Sequence, residues 1–133
     1  MYASSRMITR LYQPLLEKLD LTYPQYLVML VMWQEEKMTI TELGNKLFLK
    51  TNTLTPLLKK MRDKDLIRKR RSKEDERTVF VQLTEKANAL REQAKNIPAA
   101  LIESLHMTEE EIETIRKIMW KFLQKFNETQ TEE

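Results

Sequence analysis

Residues 52–83 read Asn52-Thr-Leu-Thr-Pro-Leu-Leu-Lys-Lys-Met-Arg-Asp-Lys-Asp-Leu-Ile-Arg-Lys-Arg-Arg-Ser-Lys-Glu-Asp-Glu-Arg-Thr-Val-Phe-Val-Gln-Leu83. This stretch predicts a short helix, a strand, a charged turn and a second strand. Leu54, Leu57, Leu58 and Met61 recur at i, i+3, i+4 and i+7, the apolar stripe of an amphipathic helix. From Thr78 to Leu83 the chain alternates, with Val79, Val81 and Leu83 on one face and Phe80 and Gln82 on the other. Leu66 to Arg71 is the partner strand, and the polar residues from Ser72 to Arg77 form the hairpin tip, a wing. Charge is concentrated here too. Lys59 to Arg77 hold ten Lys or Arg against five Asp or Glu, whereas the other 114 residues hold 13 against 15. A chain gathers positive charge on one segment where that segment faces a polyanion.

Upstream, Thr39-Ile-Thr-Glu42 fits a capping box, in which Thr and Glu satisfy each other's backbone donors. The short helix it opens carries Ile40, Leu43 and Leu47 on one face. A turn, Phe48-Leu-Lys-Thr51, leads to the next helix, which is expected from about Thr53 to Lys64. Gly44 stands where two helices crossing steeply need backbone clearance. Two short helices, a tight turn and a small residue on the first make a helix-turn-helix. With the hairpin behind it, the whole is a winged helix-turn-helix.

The ends of the chain are helical. Ile8, Leu11, Tyr12, Leu15, Leu16 and Leu19 form a stripe interrupted by Pro14, which predicts a bend or a broken ladder. Thr22 is the expected N-cap of a central helix, with Pro24 in its first turn and an apolar run from Tyr26 to Trp33. Thr84 caps a helix carrying Ala87, Leu90 and Ala94, and Asn96-Ile97-Pro98 predicts a break. Thr108 to Glu111 is a second capping box, ahead of Ile112, Ile115, Met119, Phe122, Leu123 and Phe126, with fraying expected from about Asn127. The fold class is therefore mainly α with a small β-hairpin wing. A winged helix-turn-helix, about 22–84, is flanked by N- and C-terminal dimerisation helices, about 1–20 and 85–127, in a single domain over 1–133.

Composition narrows the chemistry. The 133 residues are 41% apolar and 32% charged, which suits one folded domain. There is no apolar run long enough to span a membrane and no signal peptide, so the bacterial cytoplasm is the expected location. Without cysteine there are no disulfides or thiolate ligands, and a lone His106 makes a metal site unexpected. A single glycine removes phosphate-cradling loops. Neither an enzyme nor a cofactor is expected.

On the helix after the turn, Thr53, Thr55, Pro56, Lys59 and Lys60 point outward or flank the buried stripe. Short hydroxyls near a helix N-terminus reach base edges, and lysines further along meet phosphates. Arg70, Arg71 and Lys73 extend the basic surface, and Lys73 and Arg77 are placed for a minor groove. Asp75, wrong in sign for DNA, is expected to orient Arg77 or another basic side chain. Taken alone, Lys59, Lys60 and Arg62 also suit a solvated face, Arg68 to Arg71 a blunted edge strand, and Thr55 and Pro56 a helix opening. Their co-location favours double-stranded DNA. The apolar stripes at both termini call for a homodimer, which sets two recognition helices one DNA turn apart on a pseudo-palindrome. A protein-interaction module docking an acidic partner is the alternative.

Helical ends around a winged helix, Leu54-Thr-Pro-Leu-Leu-Lys-Lys-Met61, Asp75-Glu-Arg77 and Val81-Gln-Leu-Thr-Glu85 resemble the MarR family of bacterial transcriptional regulators over essentially the whole chain. The wing arginine of that family commonly enters the minor groove, which the resemblance carries to Arg77. Tyr2-Ala-Ser-Ser5, Tyr12-Gln-Pro-Leu-Leu16 and Leu21-Thr-Tyr-Pro-Gln-Tyr26 are most similar to the organic-hydroperoxide-sensing repressors of the OhrR type and to related staphylococcal regulators. The resemblance implies a repressor released by an oxidant or a small ligand. Sensing in the OhrR type uses a first-helix cysteine that, aligned on Tyr2 to Ser5, falls upstream of Met1. Either the chain is trimmed or its start misplaced, and Tyr12 and Tyr23 match the tyrosines around that thiol, or this member lacks the sensor and both are interface or core residues. A second departure is Lys50-Thr51-Asn52, where relatives carry Asp-Ser-Gly; a lysine there strengthens phosphate attraction.

Overall fold

The computed structural model describes residues 2–131. The chain divides into two units, Met1–Ile97 and Pro98–Glu133. The first holds α1 (Tyr2–Glu17), α2 (Tyr23–Met32), β1 (Lys37–Thr39), α3 (Ile40–Leu47), α4 (Thr51–Asp63), β2 (Ile67–Arg71), β3 (Val79–Leu83) and α5 (Glu85–Ala94). It ends at the first residue of α6 (Ile97–Leu105), and the second unit continues α6 and contains α7 (Glu109–Thr131).

Local chemistry accounts for most helix starts. The Thr22 hydroxyl accepts from the Gln25 amide while the Gln25 side chain accepts from the Thr22 amide, a complete capping box at the head of α2. At the head of α3 only half of the expected box forms. Thr39 accepts from the Glu42 amide, but Thr39 is also the last residue of β1, opposite Phe80, and the Glu42 carboxylate does not return to it. Thr84 accepts from the Ala87 amide and opens α5. α1 runs through Pro14 as one helix, so the proline removes a ladder donor without ending it.

The sheet is antiparallel in the order β1-β3-β2. Strand β1 was not expected. Its three residues are too few for a periodic pattern, and they pair with Phe80 to Gln82 on the edge of β3 that the hairpin leaves open. Beneath the sheet, Met38, Ile67 and Val81 are buried together with Val28, Met29 and Met32 of α2, Leu43 of α3 and Leu54, Leu58 and Met61 of α4. The predicted stripe of α4 is therefore its core face, with Leu57 half-buried at its margin. Trp33 donates its indole N–H to the Ala87 carbonyl at 3.0 Å, tying the end of α2 to α5.

Between α3 and α4 the chain turns in three residues. Phe48 adopts a left-handed conformation (φ 56°), and the Leu49 amide donates to the Gly44 carbonyl at 2.9 Å. A Cβ on Gly44 would lie 2.8 Å from the Leu49 carbonyl oxygen, which is why the position needs glycine.

In the second unit, Thr108 and Glu111 form the expected capping box, the Thr108 amide and hydroxyl both donating to the Glu111 carboxylate. These bonds hold that carboxyl below its ordinary pKa, the backbone N–H contributing most. The helix runs to Thr131. Along α7, Ile115, Ile118, Met119, Phe122 and Phe126 are exposed.

Candidate nucleic-acid interface

Burying Leu54, Leu58 and Met61 forces the rest of α4 outward, in two rows at helical spacing: Thr53, Pro56 and Lys60, and Asn52, Thr55 and Lys59. All six are exposed. The helix starts at Thr51, two residues earlier than expected, with Lys50 as N-cap. The run Thr51-Asn52-Thr53 was the signal for this earlier start. Lys50 offers no side-chain acceptor, so the first amides receive no cap and the N-terminus keeps its attraction for an anion. The Thr55 hydroxyl donates to the Thr51 carbonyl at 2.8 Å, which leaves it an acceptor toward solvent. Pro56 removes the donor that would meet the Asn52 carbonyl, adding one more acceptor on that row.

The wing tip is built by its own polar side chains. The Ser72 hydroxyl accepts from the amides of Glu74 and Asp75 at 3.2 and 3.4 Å. The Asp75 carboxylate accepts the Arg77 backbone amide at 3.0 Å. Asp75 therefore sets the backbone from which Arg77 projects and does not bridge to its guanidinium, an Asx-turn. The Arg71 guanidinium donates to the Glu76 carbonyl at 3.1 Å, bracing the tip from the strand. Lys73 is exposed. Between Ser72 and Arg77 two cations face three carboxylates, so position rather than net charge distinguishes the wing.

Arg77 does not stand alone at the tip. It lines a cleft of 390 Å³ with Thr39, Ile40, Thr41, Thr51, Thr78 and Val79, where the starts of α3 and α4 meet the base of the wing. The sequence placed Thr39 and Thr41 in a capping box, Thr51 in the turn and Thr78 at a strand start, and none of them among the DNA-binding residues. They lie on three separate segments, and no local pattern joins those segments to Arg77.

Strand register separates two predicted residues. Arg71 pairs with Val79 and shares a face with Ile67 and Lys69, whereas Arg70 pairs with Phe80 on the opposite face, with Arg68. Over that outer face the Lys37 ammonium sits 4.4 Å from the centre of the Phe80 ring. Lys69, absent from the predicted set, is half-buried; burial first, and then the nearby Arg62 charge, lower its pKa from the ordinary lysine value. Its alternation with Ile67 was the signal that it turns inward.

Tyr12 and Tyr23 also come together, at the corner of α1 and α2. Their rings are 5.1 Å apart, with Tyr26 5.6 Å from Tyr12. Burial raises the pKa of both half-buried phenols, that of Tyr12 further through Tyr23, and pushes that of Tyr26 up to about 12. Beside them a cleft of 330 Å³ is lined by Thr9, Gln13, Leu16, Glu17, Leu21 and Tyr23, among others. Among the described residues no group of His, Cys, Asp or Glu is placed to hold a metal ion, and no helix is long and apolar enough to cross a membrane.

Comparison with known proteins agrees with this geometry. The SarA/Rot transcriptional-regulator family model matches residues 10–94. The organic hydroperoxide resistance transcriptional regulator of Bacillus subtilis (strain 168) is 41% identical over 124 residues, 93% of this chain and 84% of that protein. The HTH-type transcriptional regulator MgrA of Staphylococcus aureus is 32% identical over 130 residues, 97% of this chain and 88% of that protein. Among solved structures, AbfR, a Staphylococcus epidermidis protein, in its reduced form bound to DNA superposes with a TM-score of 0.78 at 26% identity, covering 94% of this chain and 87% of that one.

Proposed function

The chain belongs to the MarR family of transcriptional regulators, and from that premise we propose that it is a homodimeric repressor acting on double-stranded DNA in the bacterial cytoplasm. The observation that carries this reading is the meeting of an uncapped, threonine-rich α4 N-terminus and a braced wing at one cleft, lined by Thr51 and Arg77. α4 acts as the recognition helix. Thr53, Thr55 and Pro56 meet base edges in the major groove, and Lys59 and Lys60 meet phosphates. Arg77, supported by Asp75 and with Lys73 and Arg71 nearby, enters the adjacent minor groove. The winged helix-turn-helix spans about 22–84, and the segments about 1–20 and 85–127 form the dimer. Exposed Met7, Ile8 and Leu11 on α1, and the apolar row on α7, are the surface such a dimer buries. The operator is then a pseudo-palindrome with half-sites about one turn, roughly 34–36 Å, apart.

Release comes from a change at the corner of α1 and α2, where the tilted rings of Tyr12 and Tyr23 pack beside the 330 Å³ cleft. The name of the Bacillus subtilis relative suggests organic hydroperoxide as the signal. A small ligand held in the cleft is the alternative trigger.

One experiment tests the core of this. The protein is incubated with a pool of random duplexes, bound sequences are recovered, and sedimentation measures its mass in parallel. Enrichment of a two-fold symmetric site by a dimer is the expected result. A folded protein that enriches no sequence refutes it and favours docking of an acidic partner on the outer sheet face, where Arg68 and Arg70 share a surface with Lys37.

A further inference from the structure

Not every cation between Lys59 and Arg77 is turned toward a partner. Lys64, the C-cap of α4, points back into its own protein. Its ammonium donates to the Asp20 carbonyl at 2.8 Å and to the Gln25 side-chain oxygen at 3.1 Å, with the Asp20 carboxylate 3.8 Å away. Both acceptors are held in place independently. Asp20 is in the left-handed region (φ 54°), its amide bonded to the Glu17 carbonyl at the turn after α1. Gln25 is only 2% exposed, and the same oxygen caps α2 through the Thr22 amide.

The backbone at this corner is gripped from another side. The Lys64 carbonyl accepts the Lys86 ammonium at 2.8 Å, and the Asp65 carbonyl accepts the Thr84 hydroxyl at 2.7 Å. Both donors belong to the start of α5. The end of α4 is thus fastened to the α1–α2 corner through one side chain and to α5 through its own carbonyls. Asp65 is left-handed (φ 60°), and the amides of Asp65 and Leu66 close the end of α4 on the Arg62 and Met61 carbonyls, both at 2.9 Å.

We propose that Lys64 is a positioning residue for DNA recognition, the tie that makes the orientation of α4 follow the α1–α2 corner. The inference rests on the DNA-binding reading above and adds how a change near Tyr12 and Tyr23 reaches the recognition helix. A lysine spent on two internal acceptors supplies no phosphate contact. Its loss therefore weakens only binding that needs a correctly oriented α4, because non-specific attraction to phosphate is indifferent to that orientation.

Lys64→Met keeps the apolar stem and removes the donors; Lys64→Arg restores them. Fluorescence anisotropy is measured for each on the enriched operator and on an unrelated duplex of equal length, across a salt series. Lys64→Met is expected to lose about tenfold on the operator, the weight of one charge-assisted hydrogen bond. Its affinity for the unrelated duplex and its log–log salt slope stay unchanged, and Lys64→Arg recovers most of the loss. Equal losses on both duplexes, with the slope reduced by about 0.9, make Lys64 an ordinary phosphate contact and overturn the proposal, as does an unchanged operator affinity. Hydrogen exchange separates this from the parent reading. If the wild type prefers no duplex, the DNA reading fails; the tie still predicts faster exchange in Lys64→Met at residues 20–25 and at the end of α4, and unchanged exchange there overturns it.

Discussion

Replacing Gly44 by alanine sets two opposed effects against each other in one residue. Gly44 lies inside α3 with an ordinary helical backbone, so alanine should stabilise the helix by about 0.8–1.0 kcal/mol through propensity alone. Against that, its Cβ would sit 2.8 Å from the Leu49 carbonyl oxygen, well inside van der Waals contact, while the nearby Leu54 methyl at 3.7 Å causes no conflict. The obstructing atom is backbone, and it cannot rotate away. Leu49 is itself bonded to the Gly44 carbonyl, so pushing the two apart pulls on the bond that closes the turn. Overpacking of this kind costs about 1–3 kcal/mol, more where no side chain can yield. The balance is a net loss of up to about 2 kcal/mol, or up to about 7 °C in Tm for a chain of this size. Thermal and urea unfolding at one fixed protomer concentration measure it, since the proposed dimer would make Tm concentration-dependent. A rise in stability of about 1 kcal/mol would refute the reasoning, because propensity would then be acting without the clash. The same substitution should also weaken operator binding, because the displaced turn is what aims α4.

Arg77→Ala should lower operator affinity by about tenfold or more while changing stability by less than about 0.5 kcal/mol; unchanged affinity at fixed salt would remove the wing from the interface. Asp75→Ala, which loosens the Arg77 backbone but also removes a negative charge, should cost less on the operator and increase binding to unrelated duplexes. Lys59→Gln should reduce the log–log salt slope by about 0.9 without altering sequence preference, as read by titration at several salt concentrations. At the head of α7 the Glu111 carboxylate is held below its ordinary pKa by Thr108, so its support is present above the unfolded carboxylate value and lost as pH falls through the lower folded one. An NMR titration of the Thr108 amide should report that step, and Glu111→Gln should abolish it.

What could be read from the chain was what depends on neighbours within one turn or one hairpin. The caps at Thr22, Thr84 and Thr108, the stripe Leu54-Leu58-Met61 and the hairpin from Ile67 to Leu83 are all of this kind. Each is set by a hydrogen bond or a periodicity spanning a few residues, and the amino acids carry that information directly. Gly44 was legible as well, since a lone glycine before a tight turn has few reasons to be there.

The tertiary structure decided what depends on residues distant in sequence. Strand β1 exists because β3 offers it an edge more than forty residues away, and in claiming Thr39 it prevented the second half of the predicted capping box. Arg70 and Arg71 are adjacent and chemically alike, yet the strand pleat sends them to opposite faces. Thr39, Thr41, Thr51 and Arg77 share a cleft only after three separate elements converge. Lys64 reads in sequence as one more member of a basic run; the fold places the Asp20 carbonyl and Gln25 within its reach, and so turns it inward. A charge announces itself in sequence, but the acceptor that captures it is chosen by packing.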